Sequence, residues 1–189
     1  MEGKGFTHFL DLGCGLGRHS LLFARHGFTV DSFDLSREAI EGLATKASSL
    51  ALTNLTARTG DMMKLPYADR SMDCLLAYHV ISHTDSKGIH TIVSEINRVL
   101  KEGGEFFLTL CSKKSWSFTE AGYPKLDEHT IVKIEDGPEN GIPHFYCDET
   151  TITQLFTHAN LISIRHIQDC MQNGTVLNNS WHYFILGGK

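Results

Sequence analysis

Residues 7–20 read Thr-His-Phe-Leu-Asp-Leu-Gly-Cys-Gly-Leu-Gly-Arg-His-Ser, and this stretch decides the fold. The apolar residues before Gly13 predict a strand, the three alternate glycines predict a tight turn, and residues 21–24 predict a helix. Glycine adopts positive φ and lets a ligand approach bare backbone, while the first amides of a helix have no partner inside it. The order therefore predicts a site for a nucleotide-like ligand. A tight turn without a ligand is the alternative.

The spacing of the glycines distinguishes between ligands. A dinucleotide site of the G-x-G-x-x-G type needs a glycine at position 18, where this chain has Arg18. The sequence also lacks the G-x-x-x-x-G-K-[ST] motif of a P-loop. A nicotinamide-dependent oxidoreductase is therefore disfavoured. The glycines instead read G-x-G-x-G, with Asp11 two residues before the first.

The segment Asp11-Leu-Gly-Cys-Gly-Leu-Gly17 closely resembles the first motif of the class I S-adenosylmethionine (SAM) dependent methyltransferases. In that family this loop holds the methionine part of SAM. The resemblance implies SAM as cofactor and S-adenosylhomocysteine as product. For Arg18, a solvated helix terminus is an equally weighted alternative. The resemblance assigns these residues of the loop and the helix start to the cofactor: Asp11, Gly13, Cys14, Gly15, Gly17, Arg18 and His19.

Composition limits the classes of partner. The chain has 189 residues and a formal net charge of −5, with no run of basic residues, so a nucleic-acid partner is disfavoured. No apolar stretch has the length of a membrane span and no signal-peptide core is visible, which predicts a cytoplasmic protein without a membrane partner. The five cysteines are scattered and form no C-x-x-C motif, so we expect reduced thiols.

A second strand is predicted at residues 28–33, and it ends in Asp34, 21 positions after the first glycine. An acid at this place can accept hydrogen bonds from both hydroxyls of a ribose. The alternative is an acid that stabilises the N-terminus of a helix. Ser36 is the predicted N-cap of a helix over residues 37–48. The resemblance assigns three consecutive residues here to the cofactor: Asp34, Leu35 and Ser36.

A third strand is predicted at residues 55–59, near an edge of the sheet, and Asp61, Met62 and Met63 follow it. In the methyltransferases, an acid at this place accepts a hydrogen bond from the adenine amino group. The methionine thioethers are polarizable and suited to an adenine face. For Met63, packing in the hydrophobic core is the alternative to contact with adenine. The resemblance therefore assigns Asp61, Met62 and Met63 to the cofactor.

Residues 74–78 form a continuous apolar run, which predicts a central parallel strand buried on both faces. Ligands of doubly wound sheets lie beyond the carboxyl ends of such strands, so we place Tyr78, His79 and Val80 against SAM. His79 and His83 have the i, i+4 spacing of metal ligands on a helix. Because no third ligand follows from the sequence, we expect no metal.

A helix is predicted at residues 88–101, with a glycine C-cap in the segment that ends at Gly104, and a strand at 105–110. Residues 95–106 read Glu-Ile-Asn-Arg-Val-Leu-Lys-Glu-Gly-Gly-Glu-Phe and closely match the family's segment before its fifth strand. This match supports the topology as well as the composition.

Residues 112–147 are polar and rich in glycine, proline and aromatic residues, and we interpret them as a substrate-side insertion that covers the site. Residues 130–134 and 142–146 are predicted to pair as a hairpin around 136–141. A helix is predicted at 148–160. Two antiparallel strands follow at 161–167 and 180–186, joined through Asn173-Gly174 and Asn178-Asn179.

The resemblance covers residues 7–187 and implies one domain over residues 1–189. The implied fold is α/β and Rossmann-like, doubly wound, with a mostly parallel seven-stranded sheet and a C-terminal antiparallel strand pair. Part of the segment, Gly-Leu-Gly-Arg-His-Ser20, is similar to a branch of small-molecule methyltransferases that includes tellurite-resistance-type proteins. Only six residues precede Thr7, whereas family members have a helix there that covers the SAM pocket. A partner subunit, as in a homodimer, is one way to supply this cover.

The resemblance implies methyl transfer from SAM to a small molecule, with no assigned catalytic residue. A SAM-binding protein without turnover is the alternative function. Histidine suits a general base near neutral pH, whereas packing is the plainer explanation for aromatic and histidine clusters. The residues that we expect on the substrate side are His83, Trp116, Tyr123, His144, Tyr146, Trp181 and His182.

Overall fold

The structure is a computed structural model that describes residues 4–173 and 176–189, and the side chains outside 169–178. Its helices are α1 (Arg18–Arg25), α2 (Arg37–Ser49), α3 (Ser86–Val99), α4 (Trp116–Thr119) and α5 (Glu149–Leu155). Its strands are β1 (His8–Leu12), β2 (Thr29–Asp34), β3 (Leu55–Thr59), β4 (Met72–Ala77), β5 (Leu100–Ser112), β6 (Thr130–Val132), β7 (Pro143–Cys147), β8 (Asn160–Asn173) and β9 (Val176–Gly188).

A parallel sheet with strand order β3-β2-β1-β4-β5 forms the centre of the fold. Strand β9 pairs antiparallel with β5, and β8 pairs antiparallel with β9. These seven strands confirm the predicted Rossmann-like sheet and its C-terminal antiparallel pair. Chain order reverses between β1 and β4, so the glycine turn after β1 lies at the switch point where such sheets bind ligands.

The hydrophobic core follows the predicted pattern of burial. Strand β4 is buried on both faces, and Cys74 and Leu75 are fully buried. Helix α3 packs one apolar face, which includes Ile89 and Ile92, against the sheet. In the described part of the chain, no helix combines the length and the apolar character that crossing a bilayer requires.

The predicted glycine C-cap of α3 is wrong. The helix ends at Val99, and Leu100 is already extended and begins β5. The carbonyl oxygens of Arg98 and Val99 accept hydrogen bonds from the amides of Arg70 and Ser71. These longer-range bonds satisfy the last helical carbonyls, so the chain enters the sheet before it reaches the glycines.

The hairpin predicted between residues 130–134 and 142–146 is confirmed as β6 and β7. Strand β7 also pairs in parallel with β5, so residues 143–147 belong to the sheet and not to a separate cover. The covering role of the rest of 112–147 stays a prediction.

Three C-terminal boundaries differ from the prediction. Helix α5 ends at Leu155 because Phe156 leaves the helix and stacks on Phe106. Strands β8 and β9 are longer than predicted, and Asn178-Asn179 lies within β9 and not in a connection. In the other predicted connection, Asn173-Gly174, Gly174 lies outside the described residues.

Candidate active site

The glycine loop is shaped by close packing and by positive φ. Gly13 has a φ of 69°, and a Cβ atom on it would lie 2.2 Å from Cγ2 of Val80. Gly17, which caps α1, has a φ of 77°, and its Cβ would lie 2.2 Å from Cδ1 of Leu43. A side chain at either position would force Val80, Leu43 or the loop itself to move, at a backbone φ that residues with a side chain rarely adopt. Gly15, with a φ of 52°, has open space around it.

Asp11 and Cys14 are bound into the protein interior behind the loop. Asp11 is 2% exposed and accepts a hydrogen bond from the hydroxyl of Ser20 at 2.6 Å. Burial raises the pKa of Asp11 above its ordinary value, despite that hydrogen bond. Burial also raises the pKa of Cys14 to about 12. The hydrogen bond of Asp11 ties β1 to the first helix, and Cys14 packs against a small apolar cluster that includes Leu21 and Leu43.

A cavity of about 550 Å³ opens beside the loop, and we call it the glycine-loop cavity. Its walls come from the carboxyl ends of β1, β2 and β4, from residues 60–63, and from the hairpin tip around Glu139. Its size is ordinary for a small-molecule site. Eight residues assigned to the cofactor from the sequence line it: Gly13, Asp34, Leu35, Asp61, Met62, Met63, His79 and Val80.

Two carboxylates, those of Asp34 and Asp61, line the glycine-loop cavity. Asp34 accepts the amide of Gly15 at 2.7 Å through Oδ2 and the amide of Ser36 at 2.8 Å through Oδ1. Asp61 accepts the amide of Met63 at 2.9 Å. The amide of Gly60 donates to the carbonyl oxygen of Asp34 at 2.9 Å, so the two acidic segments are joined. Each carboxylate is fixed by backbone amides and retains lone pairs for a ligand.

The apolar wall of this cavity combines packed and exposed side chains. Met62 and Val80 pack against the main core. Leu35 is 76% exposed and Met63 is 38% exposed. Such exposed apolar side chains at the mouth of a cavity offer contact area for a flat, partly apolar ligand.

The other residues assigned to the cofactor do not line the cavity. Arg18 and His19 turn to Tyr78, with the Arg18 guanidinium carbon 5.8 Å from the Tyr78 ring centre and the His19 ring 5.4 Å from it. The hydroxyl of Ser36 accepts from Ala39 and caps α2, as predicted. The residues that lie outside its walls are Asp11, Cys14, Gly15, Gly17, Arg18, His19, Ser36 and Tyr78.

A second cavity of about 560 Å³ lies on the side of β7 and β9, and we call it the histidine cavity. Four of the expected substrate residues line it: His83, His144, Tyr146 and His182. The other three lie outside its walls. Trp116 contacts Tyr123, whose hydroxyl donates to Glu135 at 2.7 Å, and Trp181 packs on His166. These three contacts are consistent with the packing explanation.

The two cavities meet at one wall formed by His79, His83 and Glu139. His79 has a φ of 53°, which is rare for a residue with a side chain, and its amide donates to Oγ1 of Thr109 at 2.7 Å. Backbone strain of this kind clusters at functional sites. The residues after β4 therefore separate the two spaces.

Sequence reasoning missed Glu139 and Lys133. Glu139 lies in the hairpin tip and forms an ion pair with Lys133. Burial alone would raise the pKa of Glu139, but the hydrogen bond and charge of Lys133 hold it below its ordinary value. Burial lowers the pKa of His144. The carboxylate of Glu139 thus faces His83 and His144 from a polar turn that shows no catalytic motif.

The part of the chain that contains the glycine loop and the acid at the end of β2 also matches known proteins. A family model described as a methyltransferase domain matches residues 9–104. The ubiquinone/menaquinone biosynthesis C-methyltransferase UbiE of Zymomonas mobilis is 27% identical over 135 residues, which are 71% of this chain and 54% of that protein. The chain spans about half the length of the curated relatives that it matches.

Solved structures share the fold. A SAM-dependent methyltransferase from Methanosarcina mazei aligns with a TM-score of 0.73 at 22% identity, covering 96% of this chain and 92% of that one. TehB from Haemophilus influenzae aligns with a TM-score of 0.72 at 15% identity, covering 98% and 58%. Both confirm the predicted fold. Because the family model spans just over half of the chain, this chain belongs to the methyltransferase domain family.

Proposed function

We propose that this chain binds SAM in the glycine-loop cavity and transfers its methyl group to a small molecule held in the histidine cavity. The observation that carries the proposal is the wall shared by the two cavities at His79, His83 and Glu139. A cofactor in one cavity and an acceptor in the other would meet at this wall.

The residues present fit SAM. Asp34 and Asp61 offer fixed acceptors for hydroxyl and amino groups in the wall of the cavity. Met62, Met63 and Leu35 offer apolar contacts for a purine. Gly13 keeps the loop backbone close against Val80 at the cavity wall, where a Cβ atom would not fit. When bound, SAM supplies an electrophilic methyl group on a sulfonium.

The chain's own task is mainly orientation. Holding two reactants in line contributes up to roughly 7–11 kcal/mol to lowering a barrier. Tyr146 is buried and His144 is 2% exposed, so both side chains are held in fixed positions in the wall of the histidine cavity. An acceptor that is protonated at neutral pH also needs a base, and imidazole suits that role. His83 lies on the wall that both cavities share, beside the place where the two reactants would meet.

Calorimetric titration with SAM, S-adenosylhomocysteine and NADH tests the cofactor. We expect the two adenosyl ligands to bind and NADH not to bind. Asp34→Ala removes two charge-assisted hydrogen bonds to the ribose, each of which contributes up to about 1.5–3 kcal/mol to binding. We therefore expect the affinity for both adenosyl ligands to fall at least about tenfold. Asp31→Ala, on the same strand but outside the cavity walls, is the matched control. Equal loss in both variants, or binding of NADH alone, contradicts the proposal.

Turnover separates this function from the alternative of SAM binding without catalysis. The measurement is transfer of a labelled methyl group from SAM to a fraction of small metabolites. Labelled product that disappears in His83→Gln supports the enzyme. Tight binding of SAM with no transfer to any fraction supports the alternative. The cytoplasmic location, the homodimer and the absence of a nucleic-acid partner stay predictions.

A further inference from the structure

Three potential metal ligands converge on the histidine cavity from separate parts of the chain. His83 follows β4, Glu139 lies in the hairpin tip, and His144 lies on β7. One ligand atom from each lies within 4.8 Å of the others. The two imidazole rings are 4.8 Å apart and nearly perpendicular. A cluster drawn from three segments is a product of the fold and not of local sequence.

His144 is oriented for coordination. Its Nδ1 lies 2.9 Å from the carbonyl oxygen of Ile142, and because a carbonyl only accepts, Nδ1 carries the proton. The lone pair is then on Nε2. His144 is 2% exposed, and its Nε2 has no hydrogen-bond partner among the residues that the structure describes. A ligating histidine ordinarily donates its other N–H to such a carbonyl.

Glu139 lies between the two histidines. Its Oε2 is 3.4 Å from Nε2 of His144, and its Oε1 is 3.4 Å from Nε2 of His83. Ligand atoms around a metal with bonds of 2.0–2.2 Å are roughly 3.3–3.5 Å apart, and each of these two distances falls in that range. The two distances involve different oxygens of Glu139, so the carboxylate has to rotate before one oxygen faces both nitrogens. An unprotonated nitrogen and a carboxylate oxygen at this distance are two ligand atoms that one cation could bind together.

We infer that His83, Glu139 and His144 bind a divalent transition-metal ion. Two imidazoles and one carboxylate suit Zn²⁺ and related ions, and three protein ligands leave one position open. The cluster lies on the walls of the histidine cavity, so the open position faces the acceptor. The acceptor class that fits carries a hydroxyl, carboxylate or thiol able to bind the ion. This last statement rests on the proposed function, whereas the metal site itself does not.

Lys133 competes with the ion. Its ammonium group pairs with Oε2 of Glu139, the same oxygen that faces His144, and it also lies 3.9 Å from Glu135. Metal binding therefore has to move Lys133 from Glu139, and Glu135 is a second carboxylate within reach. Removing the ammonium group is expected to tighten metal binding by several-fold, which a purely structural ion pair does not predict.

Titration of chelator-treated protein with Zn²⁺, and with Co²⁺ followed by its visible absorption, tests the site. We expect one ion per chain. His83→Gln and Glu139→Gln, both at partly exposed positions, should each weaken binding by about a hundredfold, since even outer partners of a ligand contribute 10–100-fold. Lys133→Gln should bind more tightly. His90→Gln, a histidine on α3 outside the cluster, is the control and should bind as the unchanged chain does.

Three outcomes overturn the site: no stoichiometric binding, binding unaffected by His83→Gln and Glu139→Gln, or an equal loss in His90→Gln. The metal affinity of His144→Gln is interpreted only when circular dichroism shows that this variant is folded. Titration of the same samples with S-adenosylhomocysteine separates the two proposals. If Zn²⁺ binds and S-adenosylhomocysteine does not, the metal site stands and the proposed function is contradicted. If S-adenosylhomocysteine binds and Zn²⁺ does not, the proposed function stands and the metal site is overturned.

Discussion

The carboxylate of Asp34 accepts the amide of Gly15 at 2.7 Å, so the tip of β2 holds the middle of the glycine loop. Its other oxygen accepts the amide of Ser36 at the start of α2. One side chain thus joins the loop after β1 to the helix after β2. The acid expected to bind a ribose is therefore already oriented by the backbone, which lowers the entropy cost of binding.

Gly13→Ala is expected to destabilise the protein by more than about 2 kcal/mol, because the new methyl group would overlap Val80 at a backbone φ of 69°. Gly42→Ala, within α2 and with open space around its Cβ among the described residues, is the matched control. It should stabilise by roughly 0.5–1 kcal/mol, as alanine does in a helix. Denaturant unfolding measures both. Equal effects would contradict the packing of the loop against Val80.

Arg98→Met is expected to destabilise by about 2–3 kcal/mol, in the range of charged hydrogen bonds. Arg98 donates to Glu95 and to the carbonyl oxygens of Leu65 and Tyr67. It therefore fixes the segment that follows Asp61, and amide exchange there should accelerate. Arg70→Met, which removes an exposed pair at 3.6 Å, is the control and should change stability by less than about 1 kcal/mol.

Protonation of Asp73 is expected to lower the free energy of unfolding at acid pH. Burial alone would raise its pKa, but hydrogen bonds from Lys101 and the amides of His8 and Thr7 hold it below the ordinary value of 3.8. The folded state therefore binds this proton less readily than the unfolded state. The contribution is complete above pH about 4 and is lost as the pH falls below 3.8. Asp73→Asn should flatten the acid limb of the unfolding free energy, whereas Asp136→Asn should not.

The four cysteines whose side chains the structure describes, two buried and two partly buried, are expected to react slowly with iodoacetamide at neutral pH. Burial raises the pKa of Cys74 to about 12 and that of Cys111 to about 11, and it raises the pKa of Cys147 as well. Because the thiolate is the reactive form, a Cys170→Ser variant should remain unlabelled while folded and become fully labelled in denaturant. Rapid labelling of the folded variant would contradict this burial.

Much of the fold could be predicted because its signals are local. The glycine turn, the Ser36 cap and the alternation of β2 depend on neighbours a few residues away. Similarly, the continuous apolar run of β4 reports burial on both faces. The end of α3 could not be predicted in this way, because amides about 28 residues earlier, at Arg70 and Ser71, capture its last carbonyls.

The candidate site was predictable only in part for the same reason. The carboxylates at the end of β2 and just after β3 could be predicted from the chain order of the sheet. Glu139 reaches His83, and Lys133 reaches Glu139, because β7 pairs with both β5 and β6 and so brings the hairpin tip to the residues after β4. The Arg18 guanidinium lies over the ring of Tyr78. The two residues are 60 positions apart in the sequence, so their spacing does not predict this contact.

A crystal structure with S-adenosylhomocysteine tests the central claim most directly. We predict that the ribose hydroxyls lie on the carboxylate of Asp34, that the purine lies beside Asp61 and Met62, and that the sulfur faces the wall formed by His79, His83 and Glu139. The ligand bound elsewhere, or with its sulfur facing away from the histidine cavity, would contradict methyl transfer between the two cavities.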